Sequence, residues 1–347
     1  MTHDSTDPQQ ILANMAYLTK DYLPEATWTV DGIFRFKKGI QTINQFLTNL
    51  IGVRGFSRMS GSIATRWSLD WFVQERPITH DKYIRILKDC ASIGKGITLI
   101  FDNPFVSDEE LNDTYSLSLI HHLCTHNENK RNAVCVANDK VAEKIHSHFP
   151  QIPIFCHPNR LVAEEGKRTA ALYNKLASQY LRVTLHPADA TRTNIIDGIE
   201  KPENFDIVIN DPCLRICSLR REHMRLLAEM RRHPYDMDLM RQRANLIARA
   251  GCQSIDPGQL HQKASCNLTR QEACTLYDKG FRHFIIQSHQ FRNEITLLWD
   301  IFQCMFDYSP EISNKAALIA SSGMAEFGKP EFKLPSGLRD FKFNILE

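Results

Sequence analysis

Short, mostly continuous apolar runs returning at intervals of a strand plus a helix limit most strongly what this chain can fold into. ITLIF (97 to 101), NAVCVA (132 to 137), IPIFC (152 to 156), YLRVTLH (180 to 186) and FDIVIN (205 to 210) begin 35, 20, 28 and 25 residues apart, and FRHFIIQ (281 to 287) follows. Runs of that kind, bounded by turn residues and separated by helical patterns, read as strands buried on both faces of a parallel sheet. Upstream, TWTVDGIFRF and LIGVRGF read as the first strands and KKGIQTINQFLTNL as a helix between them. Eight or nine candidate strands favour a TIM-like (βα)8 barrel over an open doubly wound sheet. No glycine-rich dinucleotide turn or P-loop follows any candidate strand.

Helix starts agree with this rhythm. Ser107 with Glu110 and Thr269 with Glu272 have capping-box spacing. AEKIHSHF and EEGKRTAALYNKLASQY carry apolar residues at helical intervals, as does the segment after Asn293. About 70 residues separate FDIVIN from FRHFIIQ, and they hold an Arg-rich helical pair, SLRREHMRLLAEMRRH and MDLMRQRANLIARA. The expected organisation is an N-terminal extension (1–26), a barrel (27–310) with a helical, Cys-containing insertion at about 214–262, and a C-terminal extension (311–347).

With 43% apolar and 24% charged residues, the chain has ordinary globular composition among its 347 residues, which disfavours collagen-like, disordered and coiled-coil readings. Forty-two Lys and Arg against 40 Asp and Glu leave a net charge of +2, too little for strong whole-chain attraction to nucleic acid or to a membrane surface. The polar start MTHDSTDPQQ and the absence of a long apolar stretch give an expected cytoplasmic location. In a reducing compartment ten cysteines read as buried thiols or thiolate ligands rather than as a disulfide framework.

A barrel carries its reactive groups at the carboxyl ends of its strands. Polar residues stand there repeatedly: Asp102 and Asn103, Asn138 and Asp139, Cys156 and His157, His186, then Asn210, Asp211, Pro212 and Cys213. Cys213 and Cys217 are four apart, which on a helical turn brings both sulfurs to one side, and paired thiolates repel unless a cation lies between them. Cys252 and Cys266 lie in polar surroundings in the insertion, with Cys274 the rival for a fourth ligand. Cys90, Cys124, Cys135, Cys156 and Cys304 fall in apolar strands or amphipathic helices, where a buried thiol needs no function.

The order Asn210, Asp211, Pro212, Cys213, Cys217, Arg220, His223 resembles the strand-end motif of the collagenase-like peptidase family (U-thirty-two) and its cluster-bearing hydroxylase relatives. SCNLTRQEACTLYDKGFRHFIIQSHQFRN is similar to a downstream segment of the same family, so the resemblance spans roughly residues 95 to 307. It implies a TIM-like barrel with a [4Fe-4S] cluster on Cys213, Cys217, Cys252 and Cys266, acting without molecular oxygen in hydroxylation or related redox chemistry. It is also compatible with a homo- or hetero-oligomer containing a related barrel subunit. Ser218, where the family commonly has proline, and the Asp211-Pro212 pair depart from its pattern.

Candidate catalytic residues are His223, Asp211 and His186. Candidate substrate contacts are Arg54, Asn103, His157, Asn210 and Arg220, for a small or medium-sized, anionic organic molecule. Arg215 and Arg221, with Arg220, stand beside the paired cysteines and are available to offset cluster charge. Arg54, Arg58 and Arg66 lie among glycine and serine, as in an anion-binding loop. Zinc on the same cysteines, in a hydrolase or lyase, is the alternative from spacing. A non-catalytic, cluster-bearing subunit is the third. No Gly-x-Ser-x-Gly elbow or metalloprotease helix is present.

Overall fold

The computed structural model describes residues 20, 21, 23–35, 40, 44, 55–69, 78–127, 131–164, 166–211, 213–251, 265–288, 301 and 304–307. Eight parallel strands close into a barrel in chain order: β1 (Thr27–Asp31), β2 (Arg58–Ser62), β3 (Gly96–Phe101), β4 (Ala133–Val136), β5 (Ile154–Cys156), β6 (Arg182–Thr184), β7 (Phe205–Val208) and β8 (His283–Ile286). β8 pairs with β1, with Trp28 opposite Phe284, and this contact closes the ring. Lys20–Asp21 pairs antiparallel with Phe306–Asp307 outside it.

The helices are α1 (His80–Ser92), α2 (Thr114–Thr125), α3 (Asp139–His148), α4 (Ala170–Gln179), the single turn α5 (Thr193–Ile196), α6 (Arg220–Arg232), α7 (Met237–Ala250) and α8 (Arg270–Asp278). The Arg-rich pair read from the sequence is α6 and α7. Asp236 caps the start of α7 through the N–H groups of Asp238 and Leu239, and Gly251 ends it at φ 70°, a conformation that a Cβ penalises. The Thr269–Glu272 capping box forms in both directions at the start of α8. Ser107 and Glu110 bind each other at that spacing, but around a 3₁₀ turn, Glu110–Asn112; α2 begins later, capped by Asp113.

The barrel buries its outward-facing residues, among them Val30, Met59, Ile97, Leu99, Val134, Val183, Ile207 and Phe284, together with Leu87, Leu119, Ile145 and Leu176 of the helices. The fit is tight where strands meet: a Cβ on Gly96 would come within 2.3 Å of the Arg131 carbonyl oxygen. The second strand corrects the sequence reading. It is RMSGS, not LIGVRGF, because its inward residues Arg58, Ser60 and Ser62 face a polar interior and leave no apolar run to detect. The expected helix over 37–50 and the terminal extensions fall largely outside the described residues. Among the described residues no helix is long and apolar enough to cross a membrane.

Candidate active site at the barrel mouth

Alternate residues of all eight strands point inward: Thr29 and Asp31; Arg58, Ser60 and Ser62; Thr98 and Ile100; Cys135; Phe155; Arg182 and Thr184; Asp206 and Val208; Ile285. A barrel of eight strands is usually filled by branched apolar side chains. Here the small and polar ones leave a cavity of about 370 Å³ running from the barrel interior to the carboxyl ends of the strands, where Asp102, His157, Asp211, Cys213, Arg220, Gln287 and Ser288 line it.

α6 lies across this mouth. It starts at Arg220, beside the cysteines, and its thirteen residues reach roughly 20 Å. At the far end Arg231 donates to the Thr65 carbonyl (3.0 Å), and Arg232 donates to Phe105 O (2.6 Å) and pairs with Glu110 (2.9 Å). Met224, Leu227 and Ala228 pack on Leu69 and Val162, between those anchors. Although burial opposes it, the Arg232 hydrogen bond holds Glu110 below the usual carboxylate range.

The segment after β7 turns sharply because the Asp211 carboxylate accepts the Cys213 N–H at 2.7 Å. Leu214 then forms an antiparallel bridge with Ser265, and the Cys266 N–H donates to the Cys213 carbonyl at 2.8 Å. Chain segments some fifty residues apart are thereby joined with Cys213 and Cys266 on adjacent backbone. Arg215 fastens the junction, donating to Ser265 O (3.2 Å), Asn267 O (3.2 Å) and Thr191 Oγ1 (2.5 Å), and pairing with Glu272 (3.3 Å).

Arg220, 8% exposed, is the centre of the site. Its Nη1 donates to His186 Nε2 at 2.9 Å, and its Nη2 to Leu214 O at 3.2 Å and to Cys266 Sγ at 3.6 Å. A guanidinium has only protons to give, so His186 Nε2 is the unprotonated ring nitrogen. Burial and the cations Arg220 and Arg168 hold His186 neutral, well below its ordinary range. Burial works against the Arg220 charge, but Cys213, Asp211 and Cys266 more than offset it.

Burial pushes the Cys213 thiol up to about 12, where Arg220 pulls it down and Asp211, Cys266 and Cys217 add to the rise. Cys266 is raised to about 12 for the same leading reason. Such thiols keep their protons at neutral pH and release them only to a strong cation. Arg220 stands beside Cys213 and Cys266 as a fixed positive charge. Among the described residues, no three or more His, Cys, Asp or Glu side chains form a ready single-ion site. Cys252 and Arg54 lie outside the described residues. Cys274 is half-buried in α8 against the main core.

The other sequence candidates divide. Asp211, His157 and Arg220 line the cavity. His186 stands behind Arg220 and positions it. His223, in α6, is held down to about 4 by burial and by Arg243 and Arg220, so its ring is neutral. Neither histidine is among the cavity residues. Asn103 is spent on the loop after β3, donating to Arg66 O (3.1 Å) and accepting from Phe105 N (2.9 Å). Asn210 bridges to the Gln287 backbone through both ends of its amide, at 3.0 and 2.7 Å. Arg221 is exposed. Sequence reasoning missed Arg182, Asp206 and Gln287 as cavity residues, and took Arg58 for part of a loop. Inward alternation along β2, β6 and β7, and from Ile285 of β8 to Gln287, is the signal that finds them.

Among solved structures, the fold is similar to that of the U32 peptidase Mk0906, at 10% identity, with a TM-score of 0.48 over 76% of this chain and 92% of that one. No family model matches the sequence, and no curated protein matches it.

Proposed function

We propose that this chain is a barrel enzyme that carries an iron-sulfur cluster on Cys213, Cys217, Cys266 and Cys252 and performs an oxygen-independent hydroxylation or related redox modification of a small, anionic organic molecule. One observation carries the reading: the Leu214–Ser265 bridge joins the Cys213 and Cys266 segments at the rim of an internal cavity, under a buried arginine that donates to a cysteine sulfur. Each thiolate of a four-cysteine cluster binds its own iron, so the sulfurs need not converge on a single point. When bound, such a cluster supplies one-electron chemistry, its potential tuned by nearby charge and hydrogen bonds.

The chain's own groups have separable tasks. Arg220 balances thiolate charge and is held in register by His186. Asp211 fixes the turn at Cys213 and presents a carboxylate to the cavity, within reach of a substrate proton at that rim. α6 roofs the mouth and restricts access of water.

The test is anaerobic purification and reconstitution, with iron and acid-labile sulfide analysis and spin-resonance spectra after reduction. About four iron and about four sulfide per chain are expected, with loss of most iron in C213A and C266A. Stoichiometric zinc in freshly isolated protein, or a reconstituted chain holding neither iron nor sulfide, overturns the reading.

A further inference from the structure

The floor of the cavity carries a charge imbalance that neither the fold nor the cysteine site requires. Arg58 and Arg182 enter it from β2 and β6, and their guanidinium carbons each stand 5.3 Å from the centre of the Phe155 ring, which they share. Among the described residues the carboxylate at that level is Asp206 on β7, paired with Arg182; Asp31 and Asp102 line the cavity nearer its mouth, on Ser60, Ser288 and the Leu69 N–H. Arg58 binds only neutral acceptors, Thr98 Oγ1 at 3.2 Å and the Arg131 carbonyl at 2.5 Å. The Arg182 Nε is buried without a hydrogen-bond partner. His283, at the same level, is held neutral, down to about 4, by burial and by the charge of Arg182. Burial, and after it repulsion from Arg182, lower Arg58 to about 10 against the pull of Asp206.

Two guanidiniums against one carboxylate leave one positive charge, in a space with room for a ligand. We propose that the floor is a binding site for the carboxylate of the substrate, held by Arg58 and Arg182 with an apolar or aromatic body against Phe155. A carboxylate supplies one negative charge and two acceptors for planar guanidinium donors, which matches the deficit better than a dianionic phosphate does. The geometry also sets the length of the molecule. Arg58 and Ser62 are four residues apart on β2. At about 3.3 Å per residue and a tilt near 40°, the floor lies on the order of 10 Å below the mouth. The substrate is thus a monocarboxylic acid bound head down, with its reacting position about that far from its acid group. This placement of the reacting end rests on the proposed function; the carboxylate site itself does not.

The experiment is calorimetric titration of the full chain, before and after cluster reconstitution, with benzoate, neutral benzamide and phenyl phosphate as probes. Benzoate is expected to bind at least tenfold more tightly than either of the others in both preparations, and R58Q to lose at least tenfold of benzoate affinity while benzamide is unchanged. R58K, which keeps the charge and loses the fork, is expected to fall between. Should R58Q fail to fold by circular dichroism, R58K and the ratio of probes in the unaltered protein carry the test. Equal affinity for benzoate and benzamide, tighter binding of phenyl phosphate, or full benzoate affinity in folded R58Q or R58K overturns the proposal. Benzoate binding by a chain that takes up no iron leaves the carboxylate site standing and removes only the redox reading.

Discussion

Arg220 divides its guanidinium among an imidazole, a carbonyl and a thiol. R220K keeps a charge but has no planar fork to span these acceptors. Breaking a buried charged network by altering one partner costs about 3–5 kcal/mol, so R220K is expected to shift the urea midpoint strongly and to lower iron uptake on reconstitution. Behind it, Asp189 is fully buried, pairs with Arg168 at 2.6 Å and accepts from the Tyr173 hydroxyl at 2.8 Å, while that hydroxyl accepts from the backbone N–H of His186 at 3.1 Å. D189N is expected to destabilise the fold by a similar ~3–5 kcal/mol. Removing the exposed Lys140–Asp108 pair with K140A should cost less than about 1 kcal/mol, both being read from denaturant curves. Comparable losses in the two variants would show that burial of Asp189 does not set the cost.

At the scale of elements, α6 joins two halves of the mouth. Its N-terminus holds the cysteine segment and its C-terminus the loops after β2 and β3, through Arg231 and Arg232. Substituting E110Q removes one of the two carboxylates that hold Arg232 and leaves Glu229 at 2.9 Å, and a hydrogen bond to a charged group is worth about 1.5–3 kcal/mol. The expected result is faster amide exchange confined to α6 and the Glu110–Asn112 turn, with little change in α3 or α4; uniform acceleration would show that the contact supports the whole barrel instead. At α8 the capping box satisfies two backbone donors, so T269A should cost about 1 kcal/mol. The Thr269 box was legible because its spacing stands just before a periodic apolar stretch. The same spacing at Ser107 gave a 3₁₀ turn, because Asp113 caps the helix that follows.

For the molecule as a whole, acid is the informative variable. His223 and His283 are each held down to about 4, mainly by burial, against an unfolded value near 6.5, so between these pH values the unfolded chain binds more protons. His186 acts in the same direction. Stability from these rings is complete above about pH 6.5 and is lost progressively as pH falls toward 4. Below that, Glu110 and Asp139, both held low by arginine partners despite burial, lose their pairing as well. The melting temperature should therefore fall steadily from pH 7 to pH 4, and H283Q should flatten that slope. A profile level down to pH 4.5 would mean that the histidines are not neutral in the fold.

The sequence by itself determined the closed parallel barrel, the helical pair α6–α7 and the polar rim, because continuous apolar runs and helix caps are local patterns that each segment carries alone. It also marked Cys213, Asp211 and Arg220, which are near neighbours in the chain. Only the tertiary structure decided that β2 is RMSGS, that Asn103 and Asn210 are occupied by backbone, and that Arg58, Arg182 and Asp206 meet inside the barrel. Their side chains come from strands far apart, and their meaning is a net charge in a shared volume. No single segment has that property until the ring closes.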